Sequence, residues 1–211
     1  KEPIVEIIKL PPLPEGESEA YLTQKQNNLF LPELESDLKQ KLLFLSGGKP
    51  ILLDLAVEWI ARGIIKLDWI SQACPEVVTT LSEEEILQLL KTFEIELVRP
   101  IAETTAKMHW VFLLMAWVYP VNGAMLAALR HISIEKAEEV LKEAQTYVFV
   151  KQLPNKSFKL HDEMQRMIED YVWPEIDRGK ELRHKYSSNA FKYFEKAIDQ
   201  IEYQIVSLKG Q

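Results

Sequence analysis

The sequence predicts a mainly α-helical protein with one small β-hairpin. Glycine occurs only 7 times among 211 residues while Leu, Glu, Lys and Ala are frequent, which is typical of helical chains. Apolar residues recur at helical spacing along most of the chain, and two short strand-like runs joined by a Pro-Asn turn lie near residue 150. The chain is long enough to bury one good core or two small ones.

The composition excludes several classes of protein. Cys74 is the only cysteine, so we expect no internal disulfide and no zinc site built on thiolates, as in a cytoplasmic protein. The apolar run at 111–119 is too short to span a membrane and ends at Pro120. The net charge of −7 argues against a surface built for the phosphate backbone of a nucleic acid, although a local basic patch stays open. The start at Lys1 predicts the interior of a longer protein.

The first half of the chain predicts a strand followed by helices. In order, these are a strand at 4–10, helices at 16–28, 32–45 and 50–62, a loop with a short helix at 64–81, and a helix at 81–99. Gly63 is expected to end the third helix as a C-cap. Ser82 and Glu85 form the pattern of a capping box, and Arg99-Pro100 predicts a boundary.

The second half predicts three helices, a hairpin and a further helix. In order, these are helices at 101–119, 122–130 and 134–147, strands within 148–153 and 158–162, a helix at 162–173, and one long exposed helix or a helical hairpin from Pro174. Ser133 is expected to cap the third of these helices. This order over residues 100–173 is that of a winged-helix domain.

The segment "SGGKP" at 46–50 is the first candidate site. It is not a Walker A loop, because Pro50 stands where the magnesium-binding Ser or Thr is required. Gly47 and Gly48 allow a sharp turn, and Pro50 suits the first position of the next helix. Two interpretations remain, an ordinary corner between helices and a helix start whose proline contacts a ligand.

The segment "LHD" at 160–162 is the second candidate site. Asp162 is expected to cap the following helix and orient the imidazole, so that His161 points outward as a donor to an anion. The alternative is a surface histidine beside an ordinary cap. No catalytic residue is assigned, because no Ser or Cys nucleophile lies nearby, and no second histidine stands at metal-ligand spacing.

With these two motifs, the chain resembles the C-terminal part of the nucleotide-binding module of STAND-type NTPases, which include NB-ARC and NACHT proteins. Gly48-Lys49-Pro50 is similar to the G-x-P motif of the family's helical lid, whose proline touches the nucleotide base. Leu160-His161-Asp162 is similar to the M-H-D motif of the family's winged helix, with Leu for Met, whose histidine contacts the diphosphate of ADP. The opening of the chain looks like the family's last core strand and its exit.

The resemblance implies four segments. They are the tail of a P-loop NTPase core at 1–30, a helical lid at 31–99, a winged-helix domain at 100–173, and a helical linker towards a repeat or sensor region at 174–211. Gly48, Pro50, His161 and Asp162 would be the nucleotide-binding residues.

The function that the resemblance implies is that of a regulatory arm, which senses ADP or ATP and couples it to opening and oligomerisation. The Walker A and Walker B segments are missing, so we expect no ATP hydrolysis by this chain. ADP or ATP with magnesium would bind only with the missing NTPase core of the same protein, and the active form would be a homo-oligomer.

Two other functions remain open. A winged-helix transcription regulator would bind DNA, but the predicted third helix at 134–147 carries more Glu than Lys, which disfavours the major groove. A free-standing helical adaptor would carry both motifs as ordinary corners.

Overall fold

The computed structural model describes residues 11–29, 31, 33–64, 81–103 and 108–209. The chain divides into two compact units, Lys1–Leu97 and Val98–Gln211. The expectation of a mainly helical chain with one two-stranded antiparallel sheet is confirmed. None of the helices in the described ranges is long and apolar enough to cross a membrane.

The first unit contains α1 (Glu15–Asn28), α2 (Ser36–Ser46), α3 (Pro50–Ala61) and most of α4 (Glu83–Glu103). Helix α3 is its centre, because every residue from Ile51 to Trp59 is buried. Helices α1 and α2 pack on α3 and on each other. The Trp59 indole Nε1–H donates to the Leu97 carbonyl at 2.8 Å, which ties the end of α3 to α4.

Two predictions for the first unit need correction. Helix α2 begins at Ser36 rather than at residue 32. Helix α4 continues through Pro100 instead of ending before it. Pro100 removes one backbone donor, whereas burial of Val98 and Ile101 holds this last turn in place. The predicted strand at 4–10 and most of the loop at 64–81 lie outside the described residues.

The capping predictions for this unit are confirmed. Glu85 Oε2 accepts from the backbone N–H and from the hydroxyl of Ser82, both at 2.8 Å, and the Glu85 N–H donates back to the Ser82 hydroxyl. Gly63 follows the end of α3 with a φ of 67°, the left-handed conformation that glycine favours.

The second unit contains five further helices around a hairpin. They are α5 (His109–Trp117), α6 (Gly123–Arg130), α7 (Ile134–Ala144), α8 (Asp162–Met167) and α9 (Trp173–Ile176), with a π-helical turn at Ile168–Val172, and a sixth, α10 (Glu181–Lys209), follows. Strands β1 (Val150–Gln152) and β2 (Phe158–Leu160) pair antiparallel. Val121 also bridges Phe158 through two backbone hydrogen bonds, so the segment between α5 and α6 extends the sheet.

The core of the second unit lies between α5, the hairpin and α8. Residues Val111–Ala116 are buried on all sides, and α5 packs against β2. Phe149 lies edge-on to Phe112 with their ring centroids 4.9 Å apart. Helices α6 and α7 pack on each other, with Asn122 and Ser133 as their side-chain caps.

The long C-terminal helix begins seven residues later than expected, at Glu181 instead of Pro174. Asp177, which is buried, accepts hydrogen bonds from the backbone N–H groups of Leu182 and Arg183 and thereby caps this helix. The Arg183 guanidinium also donates to Asp177 Oδ2 at 3.0 Å. A separate short helix, α9, therefore precedes one long helix, and the alternative of a helical hairpin is excluded for residues 181–209.

Candidate functional site

The turn at Gly47–Pro50 has the backbone that its sequence predicts. Gly47 and Gly48 have φ values of 55° and 72°. Lys49 is extended, with φ −85° and ψ 110°, and Pro50 is the first residue of α3. Two left-handed residues followed by an extended one turn the chain sharply from α2 into α3.

Gly48 has a second role that sequence reasoning missed. The Leu13 N–H donates to the Gly48 carbonyl at 2.8 Å, so the Pro11–Leu13 segment lies directly on the turn. A Cβ atom at Gly48 would lie 2.6 Å from the Leu13 carbonyl oxygen and 3.0 Å from Pro12 Cβ. At Gly47, by contrast, a Cβ would meet nothing within 4 Å. Glycine is therefore required at 48 by both backbone conformation and packing.

The start of α3 has few backbone N–H groups left to bind an anion. The N–H groups of Leu52 and Leu53 both donate to the Lys49 carbonyl, and Pro50 has no N–H. Lys49 Nζ forms an ion pair with Glu94 Oε1 at 3.0 Å. The expected opening for an anion at this helix terminus is thus reduced, whereas Pro50 itself is only half-buried.

A surface pocket of about 670 Å³ adjoins the two glycines. Leu43 and Phe44 of α2 supply apolar surface, and Glu15 and Gln40 supply polar groups. Its volume is in the range of small-molecule sites.

A buried polar cluster joins α1 to α3 close to this turn. Asp54 of α3 is only 9 % exposed, and its Oδ2 accepts from the Tyr21 hydroxyl at 2.9 Å. Lys25 Nζ lies 3.0 Å from Asp54 Oδ1. Burial and the hydrogen bond to Asp54 raise the pKa of Tyr21. Burial lowers the pKa of Lys25, but the hydrogen bond and charge of Asp54 outweigh it and raise that pKa.

This cluster was missed in the sequence, although an acid within the apolar run "PILLDLAVEW" was a usable signal. It fixes how α1 packs on α3, so it is a structural contact beside the candidate site.

His161, and not Asp162, caps helix α8. The imidazole Nδ1 accepts from the Glu163 N–H at 3.2 Å, and the His161 N–H donates to the Phe149 carbonyl at 2.7 Å. The predicted Asp162 cap is therefore wrong. Asp162 is already the first residue of the helix, and its carboxylate is 80 % exposed and lies 2.8 Å from Lys159 Nζ.

The surroundings of His161 favour a neutral imidazole. Burial lowers its pKa, and the positive charge of Lys151 lowers it further. Lys151 and Lys159 are direct partners across the hairpin. The hydrogen bond from Lys159 lowers the pKa of Asp162, which therefore stays a carboxylate.

The tautomer of His161 follows from its cap. Because Nδ1 accepts a hydrogen bond, a neutral ring must carry its proton on Nε2. None of the described residues hydrogen-bonds to this Nε2. The corner at 160–162 therefore offers one neutral N–H donor with two lysines nearby.

The four predicted nucleotide-binding residues fall into two pairs. Gly48 and Pro50 share the turn of the first unit, and His161 and Asp162 share the corner of the second. Within the described ranges, no group of three or more His, Cys, Asp or Glu side chains could hold a metal ion. Comparison with family models, with curated proteins and with solved structures gave no match to this chain.

Proposed function

We propose that this chain is the regulatory arm of a STAND-type signal-transduction NTPase, with a helical lid at 31–99 and a winged helix at 100–173. The observation that carries the proposal is the state of His161. Its Nδ1 is held by the Glu163 N–H, its pKa is lowered, and Lys151 and Lys159 stand nearby. A neutral Nε2–H donor suits a diphosphate oxygen.

The element order of the second unit supports the winged-helix assignment. A segment between α5 and α6 pairs with β2 through Val121 and Phe158, and the β1–β2 hairpin follows α7. Three helices with a small sheet built from the first interhelical segment and the hairpin are the parts of a winged helix. Helix α8, which His161 caps, begins directly after β2.

The turn of the first unit supports the lid assignment. Gly48 and Lys49 bring Pro50 to the start of α3 with its ring partly exposed. A flat apolar ring held on a rigid turn suits stacking against a nucleotide base. The pocket beside Gly47 and Gly48 adds apolar and polar surface at the same turn.

In the proposed switch this chain binds and does not catalyse. ADP or ATP with magnesium, held mainly by the NTPase core of the same protein, supplies the base and the diphosphate. His161 donates from Nε2 to the diphosphate, and Pro50 contacts the base. Because a ligand shifts an equilibrium only through its different affinities for two states, loss of these contacts on exchange to ATP favours opening and oligomerisation. The protein acts in the cytoplasm.

The test uses a polypeptide that includes the upstream coding sequence, where we expect a Walker A loop and an acidic Walker B strand. Because Asn is a good N-cap, His161→Asn keeps a side-chain acceptor for the Glu163 N–H. The variant lacks the Nε2 donor. We expect ADP affinity to fall about tenfold, as for loss of one hydrogen bond to a charged group. Isothermal titration calorimetry measures this.

The matched control is His184→Ala, which removes an exposed histidine from α10. Its ADP affinity should equal that of the unchanged protein. Equal affinity in His161→Asn would refute the proposal, and so would an upstream sequence without a P-loop.

The DNA-binding alternative is disfavoured by the surface of α7. Its exposed acids are Glu135, Glu138, Glu139 and Glu143, against the exposed Lys136 and Lys142. A helix that enters the major groove faces phosphates on both sides and requires the opposite balance. We therefore expect no electrophoretic shift of duplex DNA by this chain at physiological salt.

A further inference from the structure

Helix α10 carries an apolar stripe that the described residues of its own unit leave largely exposed. Its five members are 46 to 67 % exposed: Phe191, Phe194, Ile198, Ile201 and Ile205. Their spacing of three, four, three and four residues is the a/d repeat of a coiled coil. We name these five residues the α10 seam.

The seam differs from the face by which α10 packs on its own unit. Tyr186 and Ala190 are buried, and α10 contacts α6 and α5. Asn189 Nδ2 donates to the Leu129 carbonyl, and the Trp117 indole donates to the Ser187 hydroxyl. Phe191 follows the buried Ala190 by one position, and Phe194 and Ile198 follow the half-buried Tyr193 and Ala197 by one position. This spacing sets the seam about 100° around the helix from the packed side. The helix thus has two apolar stripes, one already packed and one exposed.

We propose that the α10 seam is the interface of a parallel homodimer, in which the seams of two copies pair in register. This inference does not depend on the proposed nucleotide switch. Exposed, regularly spaced apolar residues on a soluble protein indicate an interaction surface. The heptad spacing further specifies a helix as the partner.

The charges beside the seam favour the parallel orientation of two copies. The flank that follows each d position carries Glu195 and Glu202, and the less buried part of the other flank carries Ala197 and Gln204. A parallel pair sets each flank against the opposite flank of the partner, so Glu202 faces Ala197 and the glutamates of the two copies stay apart. An antiparallel pair sets like flanks together, which would bring glutamates of the two copies near each other at an electrostatic penalty.

The size of the seam sets the expected strength of the dimer. Large side chains of this kind bury about 150–250 Å² each when fully covered. With roughly half of that exposed now, five of them on each copy supply about 1,000 Å² in total, the lower limit for a specific interface. We therefore expect a dissociation constant on the order of 10–100 µM.

The first experiment is sedimentation velocity of the 211-residue chain from about 1 to about 500 µM, a range chosen to bracket the expected constant. We expect a reversible monomer–dimer equilibrium. Ile201→Lys should raise the dissociation constant at least tenfold, because it places two lysines in the apolar seam. Tyr203→Lys is the matched control, since Tyr203 is 77 % exposed on the same helix but lies off the seam, and it should leave the constant unchanged. Far-ultraviolet circular dichroism checks that both variants stay helical.

The second experiment tests the orientation. In a Cys74→Ser background, Ile205→Cys should form a disulfide-linked dimer on mild oxidation, because Ile205 lies at one end of the seam and faces its equivalent only in a parallel, in-register pair. A chain that stays monomeric at every concentration overturns the proposal. So does a dimer that Ile201→Lys leaves intact, or one in which position 205 does not cross-link to itself.

Discussion

The turn at Gly47–Pro50 and the corner at His161–Asp162 are both links into a helix, yet they are held in different ways. The turn is determined by backbone conformation and by close packing of Gly48 on Leu13. The corner is determined by side-chain hydrogen bonding, with His161 as the cap of α8. A left-handed backbone is visible in the sequence because it favours glycine. Which of two adjacent polar residues caps a helix, His161 or Asp162, is not visible there, because either side chain can accept the hydrogen bond. The comparison therefore explains why one prediction was correct and the other assigned the cap to the wrong residue.

The largest expected effect tests whether the turn depends on the close packing of Gly48 on Leu13. Gly48→Ala places a side chain both at a φ of 72° and within 2.6 Å of the Leu13 carbonyl. We expect the free energy of unfolding to fall by about 2–4 kcal/mol, since strain and overpacking add. Urea denaturation measures the change.

Gly47→Ala is the matched control for Gly48→Ala, because it has a similar φ and open space around its added Cβ. It should lose only about 1–2 kcal/mol, the penalty of the left-handed conformation. Equal losses in the two variants would show that the contact with Leu13 does not constrain the turn.

An intermediate effect tests the hydrogen bond by which His161 caps α8. His161→Ala removes the cap of α8 and should lower the free energy of unfolding by about 1 kcal/mol. His161→Asn should restore most of it, because the Asn side chain can accept from the Glu163 N–H. Chemical denaturation of both variants measures the difference.

Asp162→Ala separates the two possible caps. The Asp162 carboxylate is mostly exposed and pairs with Lys159 on the surface, so its loss should change stability by less than about 0.5 kcal/mol. A larger loss of unfolding free energy in Asp162→Ala than in His161→Ala would show that Asp162 is the cap.

The smallest expected effect concerns the electrostatics of the corner, and it is a change in the pKa of His161. Burial and Lys151 lower the pKa of His161, so the folded state takes up its proton at a lower pH than the unfolded chain does. The stability contribution is then present above the unfolded pKa near 6.5 and is lost as the pH falls through the folded pKa. Lys151→Gln should raise the pKa of His161 towards its ordinary value, as measured by NMR titration of the imidazole.

Lys156→Gln is the control for the titration, because Lys156 lies on the same hairpin and is not among the charges that shift His161. It should leave the pKa of His161 where it is. A shift as large as that in Lys151→Gln would indicate a general charge effect of the hairpin instead of a local one.

The elements with strong local signals were predictable. Gly47 and Gly48, the Ser82–Glu85 capping box and Ser133 each require a particular local backbone, so they mark their helix ends. Pro100 misled the prediction, because burial of Val98 and Ile101 in the last turn outweighs one lost hydrogen bond. Local rules cannot include a contact made by residues that are distant in the chain.

The sequence by itself determined the helical class, the hairpin and the positions of the two candidate motifs, because helix periodicity, turn chemistry and caps act over a few residues. Only the tertiary structure decided that Gly48 lies against Leu13, that Asp54 is paired with Tyr21 and Lys25, and that His161 presents Nε2. These features depend on which segments meet in the folded chain and on the burial that follows. The proposed function depends on the Gly48–Pro50 turn, which the sequence places, and on the His161 imidazole, which the fold orients.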